Sequence, residues 1–151
     1  MAKNKSNPDM YLNKFQVPIY KDKINLIFTR RGTLHAITEM GLLEDFARSF
    51  HESSVDEARN YLKDSNAMVV KIDTYRLIIL PFDVTDGVMA HEIYHLANMI
   101  MHYRGVRFCD ASEEAFAYLI DWLTEKIMPY RKALEMRLAK EKKRRKRGKG
   151  N

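Results

Sequence analysis

A single cysteine, Cys109, stands among 151 residues, which excludes an internal disulfide and points to a reducing cytoplasm as the expected compartment. Four prolines and six glycines leave no Pro- or Gly-rich linker, and no repeat interrupts the chain. Long hydrophobic runs are also missing. Nothing approaches the ~20 consecutive apolar residues of a membrane helix, so no membrane span is expected. The opening "MAKNKSNPDMYLNK" lacks the apolar stretch of a signal peptide. A chain without such a signal also suits the interior of a virus particle.

What remains is 46% apolar and 11% aromatic, a composition that can bury one core at this length, so one globular domain is expected. The net charge of +6 resembles a nucleic-acid signature until its distribution is read. Residues 131–151, "RKALEMRLAKEKKRRKRGKGN", carry 11 Lys and Arg against 2 acids, a net of +9, which leaves residues 1–130 with 15 against 18, or −3. The expected organisation is a domain over 1–130 and a basic, flexible helical or disordered tail over 131–151.

The first dozen residues read as a loose terminus. "KFQVPIY" and "INLIFT" read as two strands or a strand and an extended arm, with Pro18 confining the first to an edge. Helical spacing runs from Thr33 to Ser49, broken at Gly32 and Gly41. "SSVDEARNYLKDSN" predicts a short helix capped by Ser53 or Ser54, with Asp56 and Glu57 in the first turn. The runs Met68 to Ile72 and Leu77 to Leu80 predict a hairpin with a tight turn. A helix follows from Thr85 to Arg104, capped by Asp83 or Thr85 and stopped at Gly105. A second opens at Ser112 and meets Pro129, which is expected to end or kink it, with room for a charged helix to resume afterwards. The fold class expected is α+β, a small antiparallel sheet packed on the first of these helices, with the second beside it.

The first helix carries "HEIYH", residues 91–95. One turn separates His91 from His95, with Cβ atoms ~5–6 Å apart, so both imidazoles can converge on one ion. Glu92 lies beside them without being a ligand, the place of a general base. On residues alone, a solvated helix with two histidines and a glutamate fits the same letters. A catalytic zinc takes a third protein ligand and keeps an open position. His102 lies 11 residues from His91, a rise of ~16 Å, too far for one helix to close. Asn98 and Met101 stand where a metzincin has glycine and histidine. The remaining candidates are Glu113 and Glu114, 18 and 19 residues after His95 on the next helix.

With "AHEIYH", "GVRF" and "SEEAFAYLIDWL" in that order, the chain from Leu77 to Ile127 resembles the gluzincins, zinc metallopeptidases whose His-Glu-x-x-His helix is followed by a glutamate-bearing helix. It is also similar to small phage-encoded proteins with the same motif. The resemblance implies a minimal zincin-like fold, Zn2+ held by His91, His95 and Glu114, and Glu92 as the base of an amide-hydrolysing peptidase. Helical phase favours Glu114 over Glu113, because Glu114 shares a polar line with Tyr118 and Asp121 beside the apolar face of Leu119, Ile120, Leu123 and Ile127. Tyr118 is then a candidate donor to the oxyanion, although a half-buried aromatic with its hydroxyl in water reads the same way. Tyr94 is read as a packing residue and Asp121 as support for a histidine.

The expected substrate is a peptide or protein, laid as an extra strand along Arg76 to Pro81. The basic tail suits sequence-independent contact with nucleic acid, and equally a solvated end. The rival function is a non-catalytic virion or nucleic-acid-associated protein on a zincin-like fold.

Overall fold

The computed structural model describes residues 8–50 and 54–148. The chain begins with a hairpin, β1 (Met10–Gln16) against β2 (Lys23–Thr29), antiparallel with Met10 opposite Thr29. Of the dozen residues expected to form a loose terminus, 1–7 lie outside the described residues and Met10 to Leu12 already belong to β1. Three short helices follow: α1 (Gly32–Glu39), α2 (Leu43–Ser49) and α3 (Val55–Leu62). Gly32 and Gly41 supply the breaks expected of them, at φ of +80° and +70°. Ser54 opens α3 through a capping box, its hydroxyl accepting from the Glu57 N–H at 3.2 Å while the Glu57 carboxylate accepts from the Ser54 N–H at 2.8 Å. Ser53 lies outside the described residues.

The predicted second hairpin is β3 (Met68–Ile72) and β4 (Tyr75–Pro81), closed by Asp73 and Thr74 with Asp73 at φ +50°. The sheet order is β1-β2-β4-β3, and β2 and β4 run parallel. This corrects the expected antiparallel sheet: two antiparallel hairpins meet across a parallel seam. The long passage from β2 through three helices lets β4 return in the direction of β2.

Helices cover both faces. On one side α1, α2 and α3 bury Ile37, Phe46 and Leu62 against Ile27, Ile72, Leu77 and Ile79. On the other, α4 (Asp86–His102) and α5 (Glu113–Gly148) bury Ile93, Leu96, Phe116, Leu123 and Ile127 against Ile24, Leu26, Phe28, Ile78 and Leu80. Successive residues of β2 and β4 therefore point into different cores, and both strands are apolar almost throughout.

Pro129 neither ends nor divides α5, which runs 36 residues, about 54 Å. Pro129 is on the exposed side, where water can take the carbonyl its missing N–H leaves free. The expected boundary at residue 130 thus falls inside α5, and Leu134 beyond it is buried in the core. Among the described residues, no helix is long and apolar enough to cross a membrane.

One polar cluster ties the hairpin to the end of α4. Asp22, 2% exposed, pairs with Arg76 of β4 at 2.9 Å and with Arg104 just after α4 at 3.0 Å. Arg104 also donates to the Tyr20 carbonyl.

Candidate functional site

The expected cap of α4 is present, with the Thr85 hydroxyl accepting from the Val88 N–H at 3.3 Å. At the other end Gly105 takes φ +70°, and the Val106 N–H bonds to the Met101 carbonyl at 3.0 Å. Between these stops, the buried stripe of the helix reads Met89, Glu92, Ile93, Leu96, Ala97, Ile100 and Met101. A carboxylate occupies a position that the 3.6-residue period assigns to the core. Glu92 is 7% exposed. Burial pushes its pKa above the ordinary carboxylate range, opposed by the neighbouring His91 and His95 and by a hydrogen bond from the Val69 backbone.

Beside Glu92 the exposed face carries His91 and His95. Their Nε2 atoms lie 3.0 Å apart, with the rings edge to face at 4.5 Å between centroids. Two imidazole nitrogens on one tetrahedral zinc stand about 3.3 Å apart, from Zn–N distances of about 2.0–2.1 Å. The two nitrogens are thus spaced nearly as two ligands of one small ion would be. Either ring holds its neighbour by donating an N–H to the other's lone pair.

The cleft around these residues measures about 570 Å³, between α4 and β3, and is lined also by Tyr61, Asn98, His102 and Tyr103. His91, His95, Asn98 and His102 follow one another at spacings of four, three and four, a polar stripe along the exposed side of α4. That stripe was readable from phase alone. His102 is too far along the helix to share an ion with His91 but faces the same cleft. Tyr103 reaches back across β3, with the Lys71 ammonium 4.5 Å and the Arg76 guanidinium 5.6 Å from its ring centre. Tyr103 caps the end of α4 in the phase of Glu92 and Leu96, so helical spacing alone groups it with the core stripe.

The strand at the cleft is β3. The expected docking strand, Arg76 to Pro81, is β4, paired on both sides by β2 and β3 and without a free edge. β3 is the outer strand, and the Val69 N–H turns from it toward Glu92. Alternate residues of an antiparallel strand present their backbone groups on the same side, so Lys71 offers its own N–H and carbonyl along that edge.

Glu114 and Tyr118 are placed elsewhere. Glu113 and Glu114 are exposed in the first turn of α5, and neither lines the histidine cleft. Tyr118 is 72% exposed and, with Asp121 and Trp122, lines a separate cavity against Val17 to Tyr20. Tyr94 is 45% exposed, its ring tilted on that of His95 at 5.9 Å. Among the described residues, no group of three or more His, Cys, Asp or Glu is close enough to hold a metal. His91 and His95 therefore fit two positions of a zinc site, and among the described residues no third ligand is brought up to them. No protein-family profile, curated protein or solved structure matches this chain.

Proposed function

We propose that the chain is a zinc-dependent peptidase of a reducing, cytoplasm-like compartment, with His91 and His95 as ligands and Glu92 as general base. The observation that carries this reading is the pair of Nε2 atoms 3.0 Å apart beside a carboxylate buried in the core stripe of the same helix. The gluzincin likeness names Glu114 as the third ligand, a role that requires the start of α5 to stand nearer the two histidines than it does here. When bound, zinc would supply Lewis-acid activation of water and of the substrate carbonyl.

The chain's own residues supply the remainder. Glu92 takes the proton of the attacking water and passes it to the leaving amine, and its burial strengthens it as a base near neutral pH. An extended peptide lies along β3, held by the Lys71 N–H and carbonyl, the Val69 N–H being taken by Glu92, which brings its carbonyl over the two imidazoles. His102 and Asn98 extend the polar wall of the cleft along the leaving side of the peptide.

The test has two readouts. Purified protein, stripped with chelator and reloaded, should take up one zinc per chain and gain thermal stability as zinc is added. His91→Ala and His95→Ala should lose both effects. Glu92→Gln should retain the ion and lose cleavage of a quenched peptide library. Wild-type protein that takes up no zinc would falsify the metal-site reading; loaded protein that cleaves no member of the library would remove the peptidase reading and leave a metal-binding one.

A further inference from the structure

The last two turns of α5 are the most strongly charged surface on the molecule. Lys140 and the run from Lys142 to Arg147 place seven cations in eight residues, all exposed. Among the described residues, none of these seven makes an ion pair, whereas the one acid among them, Glu141, faces both Arg30 at 3.7 Å and Arg137 at 3.8 Å. At about 100° per residue, the seven side chains surround the helix except for a sector about 100° wide centred on Glu141. That sector faces the body of the protein.

The segment is not a loose end attached to a domain. It continues a helix whose Leu134 is buried and whose Leu138 lies against the same core. Arg137 sits 4.2 Å over the Tyr11 ring, and Arg131 pairs with Asp86 of α4 and with Glu135. Arg30, which pairs with Glu141, is itself held by Asp9 at 3.8 Å and lies 5.2 Å over the Phe82 ring. These contacts anchor one side of the helix at the carboxyl ends of β2 and β4, where Lys142 and Arg145 line a cavity with Thr29 and Pro81. The cations on its other sides are displayed on a helix already ordered, so binding need not supply the entropy of forming that helix.

We propose that this helical rod is a binding arm for duplex nucleic acid, seated in the major groove and contacting the phosphates on both sides without reading base sequence. The groove, about 12 Å wide, admits one α-helix. Cations on nearly every side of that helix meet both phosphate walls. An anionic membrane calls for a different pattern, a polar basic face opposite a face of Trp, Phe or Leu, and residues 140–148 contain no such apolar face. The outer two turns beyond Glu141 hold no Asn, Gln or acidic group to select adenine or cytosine edges, and their Lys and Arg surround the helix instead of converging on one base-facing side, the arrangement that suits phosphates.

The experiment uses the full chain and a labelled mixed-sequence duplex of about 20 base pairs, followed by fluorescence anisotropy over about 50–200 mM salt. Neutralising about five phosphates predicts a log–log slope near −4.5. The variant K143Q/R144Q/K146Q/R147Q keeps Lys142 and Arg145 at the anchoring cavity. It should fold as wild type by circular dichroism, flatten the slope by about 3 to 4, and weaken binding at least tenfold at about 100 mM salt. Two unrelated sequences should bind within about threefold of each other. Binding unchanged in the variant, a wild-type slope flatter than about −2, a strong sequence preference, or tighter binding to vesicles with about one-third phosphatidylserine than to the duplex would each overturn the proposal. None of these results depends on zinc or on peptide cleavage.

Discussion

Replacing Glu92 with glutamine should make the protein more stable while removing its proposed activity. Glu92 is buried in the core stripe of α4, and a buried carboxylate carries a desolvation penalty of several kcal/mol. Against this stand the attraction of the two imidazoles and the hydrogen bond from the Val69 backbone; such a bond to a charged group contributes about 1.5–3 kcal/mol. Glutamine has nearly the same shape, keeps an oxygen for the Val69 N–H at about 1 kcal/mol, and removes the charge. The balance is a gain of about 1 kcal/mol, or about 2–4 °C in Tm for a chain of this length. The pH dependence follows from the raised pKa. Wild type binds its Glu92 proton more tightly when folded than when unfolded, so it is penalised above the folded pKa and unpenalised below the unfolded one. The advantage of Glu92→Gln should therefore be full above the raised folded pKa and fade as the pH falls through it toward the unfolded value of about 4. The assay is urea denaturation of chelated protein at several pH values, comparing midpoints at constant m. If the variant is instead less stable by about 1 kcal/mol at pH 7, Glu92 is a structural acceptor for β3, and its burial says nothing about catalysis.

Two further substitutions test the frame that holds the site. Asp22→Ala leaves Arg76 without its carboxylate partner and leaves Arg104 tied to the hairpin through the Tyr20 carbonyl in place of an ion pair. It should cost about 3 kcal/mol, read as a lowered urea midpoint, and a loss below about 1 kcal/mol would show that the cluster is solvated and not structural. Asp73→Gly relieves a non-glycine residue at φ +50° in the two-residue turn between β3 and β4. Calorimetry should show a gain of about 0.5–1 kcal/mol, and no gain would mean that the aspartate side chain already stabilises the turn.

Local chemistry was the legible part of the fold. Ser54 with Glu57, Thr85 and Gly105 mark helix ends through hydrogen bonds made within a few residues, and all stand where spacing puts them. Strand direction was harder to read, because it is decided by what lies between the strands. "INLIF" and "LIIL" nevertheless carried the signal: apart from Asn25 both are apolar without alternation, the pattern of strands covered on two faces, and a one-faced antiparallel sheet would have alternated. Of the two outcomes expected at Pro129, the ended helix does not occur, for a related reason. The rule that proline ends a helix supposes the freed carbonyl has no other partner, and on the exposed side of α5 water is available.

The site divides in the same way. His91, Glu92 and His95 lie within one helical turn, so the period that forms α4 also sets the imidazoles 3.0 Å apart and turns the carboxylate inward. A ligand from α5 depends on the path of residues 103–112 and on how two helices cross, and no residue spacing specifies either. Glu114 is exposed and outside the cleft, so its part rests on the gluzincin likeness and on the need of a catalytic zinc for three protein ligands. Competition titration with a chromophoric chelator separates these grounds. Under the proposed function, Glu114→Gln weakens zinc binding at least about tenfold, by loss of a charged ligand of the kind such sites require, and Glu113→Gln changes it by less than about twofold. A loss on Glu113 in place of Glu114 would mean that the phase of α5 was misread. If both variants bind as wild type does, the ion rests on His91 and His95 without either glutamate, and the likeness to gluzincins ends with α4.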